Sequence, residues 1–216
     1  ATSVAAVNDY YDIRDTHKLK PNSPALTAGP GSTQIGAYGD SGSPVGFSPT
    51  FTTTPTVTGS ITQDQIWSGT VNITGDVTIP SRYKIIIYQG ATVNFADGDT
   101  AAGGELNTKA ELIVNGQLLV NGVSASKVTF TSSEGTPATA DWYGIIIGDT
   151  AIDKYTDINY ANIKYASNGV FVKRAKPTIR NSIIENNSEG IYLYSTDSAP
   201  TISGNIIANN SNGIHV

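Results

Sequence analysis

A short pattern written twice near the C-terminal end of this sequence constrains the fold more than any other feature. The stretch NSIIENNSEGIYL covers residues 181–193, and GNIIANNSNGIHV covers residues 204–216, 23 residues further along. The same Gly-aliphatic step is found at four positions, spaced by 25, 21 and 23 residues: Gly144, Gly169, Gly190 and Gly213. An internal period of about 20–25 residues is typical of a solenoid, in which each repeat is one coil stacked on the next.

Each repeat consists of short apolar alternations separated by turn residues. Ile191 and Leu193 alternate with polar or aromatic neighbours, which is the spacing of a β-strand and is too short for a helix. Asn-Asn-Ser and Ser-Asn-Gly lie between these stretches, and such residues adopt left-handed backbone or bond their own main chain. The pattern predicts an all-β fold, a right-handed parallel β-helix (β-solenoid) with three short strands per coil and about seven coils from Gln63 onward.

Asparagines at matching positions of the two repeats predict internal polar ladders. In a stacked solenoid Asn186 would lie over Asn209, and Asn187 over Asn210, because strands of neighbouring coils are about 4.8 Å apart. Side-chain bonds along such a ladder satisfy amides that would otherwise be costly to bury. We therefore expect a structural role for all four residues.

The composition of the chain changes twice along its length. Residues 61–216 contain the strand pattern and form the predicted β-helix. Residues 41–60 are rich in Gly, Ser, Thr and Pro, which predicts an extended linker. Residues 1–40 come before this linker and are predicted to form an extended N-terminal arm.

Several stretches of the sequence resemble a known family. The segment IWSGTVNITGDVTIPSRYKIIIYQGATVNF, with Trp67, Asp76 and Pro80, is followed by ELIVNGQLLVNG, VTFTS and DWYGIII. From Ile66 to Val216 the chain is similar to secreted right-handed parallel β-helix repeat proteins of the pectate-lyase-like superfamily. The resemblance implies the fold and an extracellular or cell-surface location, but it implies little about activity, because one fold supports many functions.

The N-terminal part resembles a different piece of such proteins. DIRDTHKLKPNSPALTAG and QIGAYG, within residues 1–40, are similar to the segment that closes the C-terminal end of a bacterial β-helix. The resemblance implies that residues 10–38 complete the coils of a neighbouring subunit, while residues 213–216 receive the same segment from another copy. The alternative is that the sequence is a window from a longer polypeptide with two consecutive β-helices.

Charge and composition restrict the partners. The sequence has 13 Lys and Arg against 18 Asp and Glu, a net charge of -5, so it has no excess of basic residues to neutralise a phosphate backbone. It contains no cysteine for disulfides, thiolate chemistry or Cys-type zinc sites, and no run of 18 apolar residues that would predict a membrane span. We expect copies of the chain itself in a fibre, or surface glycans, as partners, and no nucleic acid.

Candidate catalytic residues do not form a pattern. A polysaccharide lyase on this fold would need calcium-binding carboxylates and a positioned Arg or Lys on one outer face. The outward charges of the regular coils form no repeated acidic column, and His17 and His215 have no Ser or Asp motif beside them. The sequence therefore predicts no catalytic residue and no enzyme, with a lyase as the remote alternative.

One short loop is a candidate calcium site. Asp97 and Asp99 flank Gly98 in ADGDT, and carboxylate oxygens are ligands that calcium prefers. A plain turn is the alternative, because the same residues are typical of turns. We expect no other cofactor.

An aromatic stack is the candidate binding surface. Phe171, Tyr192 and His215 fall at the same position of successive coils, with Tyr194 nearby, which predicts an outward stack. Such a stack could bind sugar rings or a neighbouring protein, or could simply cover the wall of the solenoid.

The repeat pattern predicts a structural protein, and the resemblance implies that it is extracellular. It would be a subunit or repeat unit of a surface fibre or adhesin, assembling by β-helix stacking or by donation of a segment. The alternative is a carbohydrate-binding β-helix module.

Overall fold

The structure is a computed structural model that describes residues 50–52, 56–101 and 103–216. In this part of the chain nearly all regular structure is short parallel strands, which coil around one core as a parallel β-helix. The predicted fold class is confirmed, whereas the predicted arm and closing segment, residues 1–40, lie outside the described residues. The described chain contains no helix of the length and apolarity that a membrane crossing requires.

Each coil contributes strands to three faces. Face 1 contains seven strands in stacking order: β1 (Thr50–Thr52), β3 (Gln65–Trp67), β5 (Lys84–Tyr88), β8 (Gln117–Asn121), β11 (Asp157–Asn159), β14 (Thr178–Arg180) and β17 (Thr201–Ser203). Face 2 contains the first part of β4 (Thr70–Ile79), β6 (Thr92–Phe95), β9 (Val128–Ser132), β12 (Ala161–Lys164), β15 (Ile183–Glu185) and β18 (Ile206–Ala208). Face 3 contains the second part of β2 (Thr56–Ser60), the second part of β4, β7 (Glu111–Val114), β10 (Trp142–Ile147), β13 (Ala166–Val172), β16 (Glu189–Leu193) and β19 (Asn212–His215). The first part of β2 pairs with the first part of β4 and so belongs to face 2.

The paired strands begin earlier than the sequence pattern indicates. Strands β1 and β2 lie within residues 41–60, the range predicted to be a linker, and β2 pairs in parallel with β4. Val57 packs against the core, whereas Thr56 and Thr58 are exposed. The threonines of this range contributed to the prediction of a linker. Their β-branched side chains also favour strands, and the alternation of Thr56 and Thr58 with the core-facing Val57 is that of a strand.

Like residues stack on like in the core, as in-register pairing of coils requires. One inward row of face 2 is entirely apolar: Val71, Val93, Phe130, Ile163, Ile184 and Ile207. The inward row of face 1 follows the same rule: Trp67, Ile87, Val120, Ile158, Ile179 and Ile202. Each fully buried side chain of this kind contributes about 1.5–3 kcal/mol, so these rows are the main source of stability.

The corner between faces 2 and 3 repeats from coil to coil. Its first residue has left-handed backbone, with φ of 68° at Tyr165, 57° at Asn186 and 55° at Asn209. Asparagine adopts this conformation more readily than most residues. Asn186 and Asn209 are therefore corner residues, and the predicted ladder between their side chains is not formed.

The ladder runs instead through the residue that follows each corner. Asn187, which is 1% exposed, donates a side-chain hydrogen bond to Asn210 Oδ1 at 3.0 Å. Its amide also donates to the Ile163 carbonyl at 3.1 Å, and its Oδ1 accepts from the Ala166 N–H at 2.8 Å. The polar ladder thus consists of Asn187 and Asn210 and joins three successive coils.

One of the four Gly-aliphatic steps does not pair as the sequence predicts, because Gly144 is displaced by one residue. Gly144 pairs with Asn168 and not with Gly169, and an irregularity follows between Gly144 and Ile145. A Cβ on Gly144 would lie 2.1 Å from the Asn168 carbonyl oxygen. The glycine is therefore needed because the two coils approach closely at this point.

Candidate functional site

The outer side of face 3 carries a row of apolar and aromatic side chains. Successive strands place one residue each in this row: Ile113, Ile146, Phe171, Tyr192 and His215. Their neighbours in the strands point into the core, so alternation directs this row outward. The register predicted for the three ring-bearing residues is confirmed.

The rings of this row are stacked. Phe171 and Tyr192 have centroids 4.9 Å apart and planes within 8°, and Tyr192 and His215 have centroids 4.7 Å apart. Tyr194 packs edge-on against Phe171 at 5.7 Å. The structure therefore brings all four predicted residues together.

Access to the four rings is unequal. Tyr194 is 60% exposed, whereas Phe171 is 3% exposed beneath Tyr192 and Tyr194. The stack faces outward as predicted, but Phe171 supports the other rings and a ligand cannot contact it directly. Tyr192, Tyr194 and His215 form the accessible part, which we call the aromatic patch.

A groove lies beside the aromatic patch. The loop between β6 and β7, residues 96–110, extends toward face 3, and its Glu105 carboxylate forms an ion pair with Lys173 at 2.6 Å. The groove has a volume of about 240 Å³ and a floor that includes Ile113 and Ile146. Its rim is polar, since it includes Glu105, Lys173 and the ion pair between Arg174 and Asp149 at 2.8 Å.

Lys173 connects the groove with the aromatic patch. Its ammonium lies 5.8 Å from the Phe171 ring centroid and 5.6 Å from that of Tyr194. A cation at this distance from a ring is attracted to its π face. Charged groups, an apolar floor and exposed rings are thus neighbours along one face of the solenoid.

The two carboxylates of the predicted calcium loop have different partners. Asp97 forms an ion pair with Lys109 at 3.2 Å. Asp99 Oδ1 accepts hydrogen bonds from the backbone N–H groups of Asp76 at 3.0 Å and Ala101 at 2.8 Å. Asp99 therefore belongs with Asp76, and Asp97 belongs with Lys109.

Two further acidic residues lie beneath the same loop, and the sequence patterns did not single them out as a site. Asp76 is 2% exposed and Glu111 is 0% exposed. Glu111 accepts hydrogen bonds from the backbone N–H groups of Glu105 at 2.8 Å and Leu106 at 2.7 Å. Burial nevertheless raises the pKa of Glu111 to about 7, and burial also raises the pKa of Asp76.

A weak signal for these residues exists in the sequence. Asp76 and Glu111 directly precede Val77 and Leu112, which face the core as a pair, so both carboxylates start on the outer side of face 3. The loop of residues 96–110 is long for a β-helix corner and must be anchored somewhere. The sequence alone does not indicate which outward carboxylates provide the anchor.

Some basic side chains on the outer surface are paired with carboxylates. Besides the pairs at the groove, Arg180 bonds Asp157 on face 1 at 2.7 Å. Within the described ranges no group of three or more His, Cys, Asp or Glu side chains is arranged to hold a metal ion. The predictions of no enzyme and no catalytic residue stay predictions.

Comparisons with known proteins give no relative. No protein-family model matches the chain, and neither the search of curated proteins nor that of solved structures finds a match. The resemblance to the pectate-lyase-like group therefore depends on the sequence stretches given above and on the parallel β-helix itself.

Proposed function

We propose that the chain is a structural solenoid of an extracellular surface fibre or adhesin, related to the pectate-lyase-like group, and that it contacts glycans through face 3. The observation that carries this proposal is the aromatic patch beside an apolar, charge-rimmed groove. Binding sites for small ligands combine such apolar surface with a few polar groups that fix orientation.

The aromatic patch suits the apolar face of a sugar ring. Tyr192 is held between Phe171 and His215, so little side-chain freedom would be lost on binding. Tyrosine combines a large apolar surface with a hydroxyl group, which suits a ligand with both C–H and O–H groups.

The groove supplies the polar part of such a contact. Lys173 and Glu105 present a donor and an acceptor at its rim, and Asp149 and Arg174 present another such pair. Hydrogen bonds to charged groups are stronger than those between neutral groups. A glycan lying along face 3 would therefore meet rings at one end and charged side chains at the other.

Replacing Tyr194 with alanine is expected to weaken glycan binding about tenfold, because the most exposed ring of the patch would lose its stacking contact with the sugar. Glycan-array screening of the wild-type chain identifies a ligand, and isothermal titration calorimetry compares the variants. Tyr155→Ala is the matched control, since this tyrosine also has a lysine ammonium near its ring, Lys154 at 5.2 Å, but precedes face 1. The proposal fails if no glycan binds or if both variants lose the same affinity.

A second observation favours assembly by stacking of coils. Strands β17, β18 and β19 pair on one side only within the part of the chain that the structure describes, and Ile206 and Ile214 are 59% and 47% exposed. A further coil of the same kind would pair with these strands and cover both side chains. In this proposal a neighbouring copy supplies the next strands, with residues 1–40 as the donated segment.

Deleting residues 1–40 is expected to abolish filaments that the full chain forms, because the donated strands would be missing. Negative-stain electron microscopy and analytical ultracentrifugation measure the assembly of both chains at equal concentration. Deleting only the five residues 1–5, outside the predicted donor range 10–38, is the control. Unchanged filaments after the larger deletion, or a full chain that stays monomeric, would contradict donation.

A further inference from the structure

Two carboxylates beneath the loop of residues 96–110 each keep one oxygen without a hydrogen-bond partner. Asp76 Oδ2 accepts from the Gly103 N–H at 2.9 Å, and Asp99 Oδ1 accepts from two backbone N–H groups. The remaining atoms, Asp76 Oδ1 and Asp99 Oδ2, are buried and have no partner. Buried polar atoms are nearly always satisfied, so two such oxygens on neighbouring residues point to a missing partner.

The missing partner must compensate negative charge. Asp76 is 2% exposed, and its backbone N–H donates to Asp99 Oδ1 at 3.0 Å, so a second carboxylate lies beside a buried one. Among the residues that the structure describes, no Lys, Arg or His side chain forms an ion pair with either carboxylate, and Lys109 of the same loop is bonded to Asp97 and to the Ala140 carbonyl. A buried charge without a counter-charge costs several kcal/mol, which a bound cation or a proton would remove.

The backbone is packed closely around the hydrogen-bonded oxygens of the same two carboxylates. A Cβ on Gly75 would lie 2.8 Å from Asp99 Oδ1, and one on Gly104 would lie 2.9 Å from Asp76 Oδ2. Both positions therefore require glycine, since any side chain would displace a carboxylate or the loop. The loop backbone is thus fitted to the carboxylates, with no side chain between them.

We propose that Asp76 and Asp99 bind one calcium ion, each through its unpartnered oxygen, with water and backbone carbonyl groups as the other ligands. Calcium accepts six to eight oxygen ligands in flexible geometry, which suits one carboxylate from a strand corner and one from a loop. Magnesium requires nearly octahedral geometry and keeps several of its waters, so it suits a buried site less well. Both oxygens of Glu111 already accept backbone hydrogen bonds, so Glu111 is not a ligand.

This assignment changes the calcium site that the sequence predicts. Asp99 remains a ligand, but Asp76, which is 23 residues away in the sequence, replaces Asp97 as its partner. The ion would fix the loop that carries Glu105 and thereby one wall of the groove. It would do so whether or not the groove binds a glycan.

The test uses the full chain, stripped with EDTA and titrated with calcium chloride. We expect calorimetry to give one site and the melting temperature to rise by about 5–10 °C when calcium is at about 100 times its Kd. Asp99→Asn should abolish the binding heat and the shift, because the amide keeps the shape and one acceptor but replaces the free oxygen with a donor. Asp76→Asn should do the same, and Asp97→Asn, the matched control in the same loop, should retain both.

The outcomes that overturn the proposal are equally definite. An unmodified chain with no binding heat and no shift would overturn the calcium site. If Asp97→Asn loses as much calcium binding as Asp99→Asn, the ligands are Asp97 and Asp99, as the sequence predicts, and the proposal is wrong. If Asp76→Asn does not fold, the unmodified chain and Asp99→Asn still decide.

Discussion

Replacing Trp142 with alanine is expected to lower the free energy of unfolding by about 3–5 kcal/mol, a value typical of large-to-small changes in a packed core. Trp142 is 0% exposed and stacks on Phe95 with ring centroids 3.9 Å apart and planes within 10°. Its indole N–H also donates to the Lys164 carbonyl at 2.9 Å. Thermal unfolding followed by circular dichroism should show a melting temperature lower by about 10–15 °C.

Trp142→Phe is the control for this prediction. It keeps an aromatic ring over Phe95 but removes the hydrogen bond to the Lys164 carbonyl, so we expect a loss of only about 1–2 kcal/mol. Trp67, the other tryptophan of the sequence, remains in both variants and reports unfolding by fluorescence. Equal losses in both variants would show that the hydrogen bond, and not the stacked rings, contributes the stability.

Replacing Asn187 with leucine is expected to lower the free energy of unfolding by about 2–4 kcal/mol, although leucine has nearly the same volume. The change removes the side-chain bonds to Asn210 and to the backbone of Ile163 and Ala166. A buried N–H and a buried carbonyl group would then have no partner. The melting temperature should fall by about 5–15 °C.

Asn186→Gly tests whether the effect belongs to the ladder. Asn186 precedes Asn187 directly but has left-handed backbone at φ 57°, a conformation that glycine adopts without strain. We expect a change within about 0.5 kcal/mol. A melting temperature that falls as far in Asn186→Gly as in Asn187→Leu would mean that both asparagines stabilise the corner in the same way.

The calcium and glycan proposals share one loop but fail separately. Binding of calcium is measured without any glycan, and its ligands, Asp76 and Asp99, lie outside the aromatic patch. Tyr194→Ala should leave calcium binding unchanged, because Tyr194 belongs to the aromatic patch, where its ring packs against Phe171. If a glycan binds equally well with and without calcium, the proposed cation stabilises the loop and does not contribute to glycan binding.

The sequence alone determined the coil, its three strands and the register of the last repeats. Successive coils stack in register, so residues that are one repeat apart in the sequence are neighbours in the structure. The period alone therefore assigns Phe171, Tyr192 and His215 to one stack. The prediction of a linker from composition was wrong where threonine, which occurs in both linkers and strands, forms part of a strand, as at Thr56.

The roles of neighbouring residues depended on the tertiary structure. Both Asn186 and Asn187 repeat at the same period, and only the backbone angle of the corner decides which of them points inward. Strict alternation from Ile145 would place Trp142 outside, but the irregularity at Gly144 reverses the alternation and turns the indole into the core. Such local changes of direction arise from contacts between coils. The repeat length of the sequence carries no information about these contacts.

The sequence predicted one proposed ligand of the candidate cation site, Asp99, but not its partner Asp76, for the same reason. The loop of residues 96–110 interrupts the repeat, so its path follows from long-range contacts and not from spacing. These contacts bring Asp99 to the backbone N–H of Asp76 and leave Asp97 at the surface with Lys109. Periodicity fixes the regular coils because every coil repeats the same pairing, whereas an insertion has no equivalent in the next coil and is placed only by what it packs against.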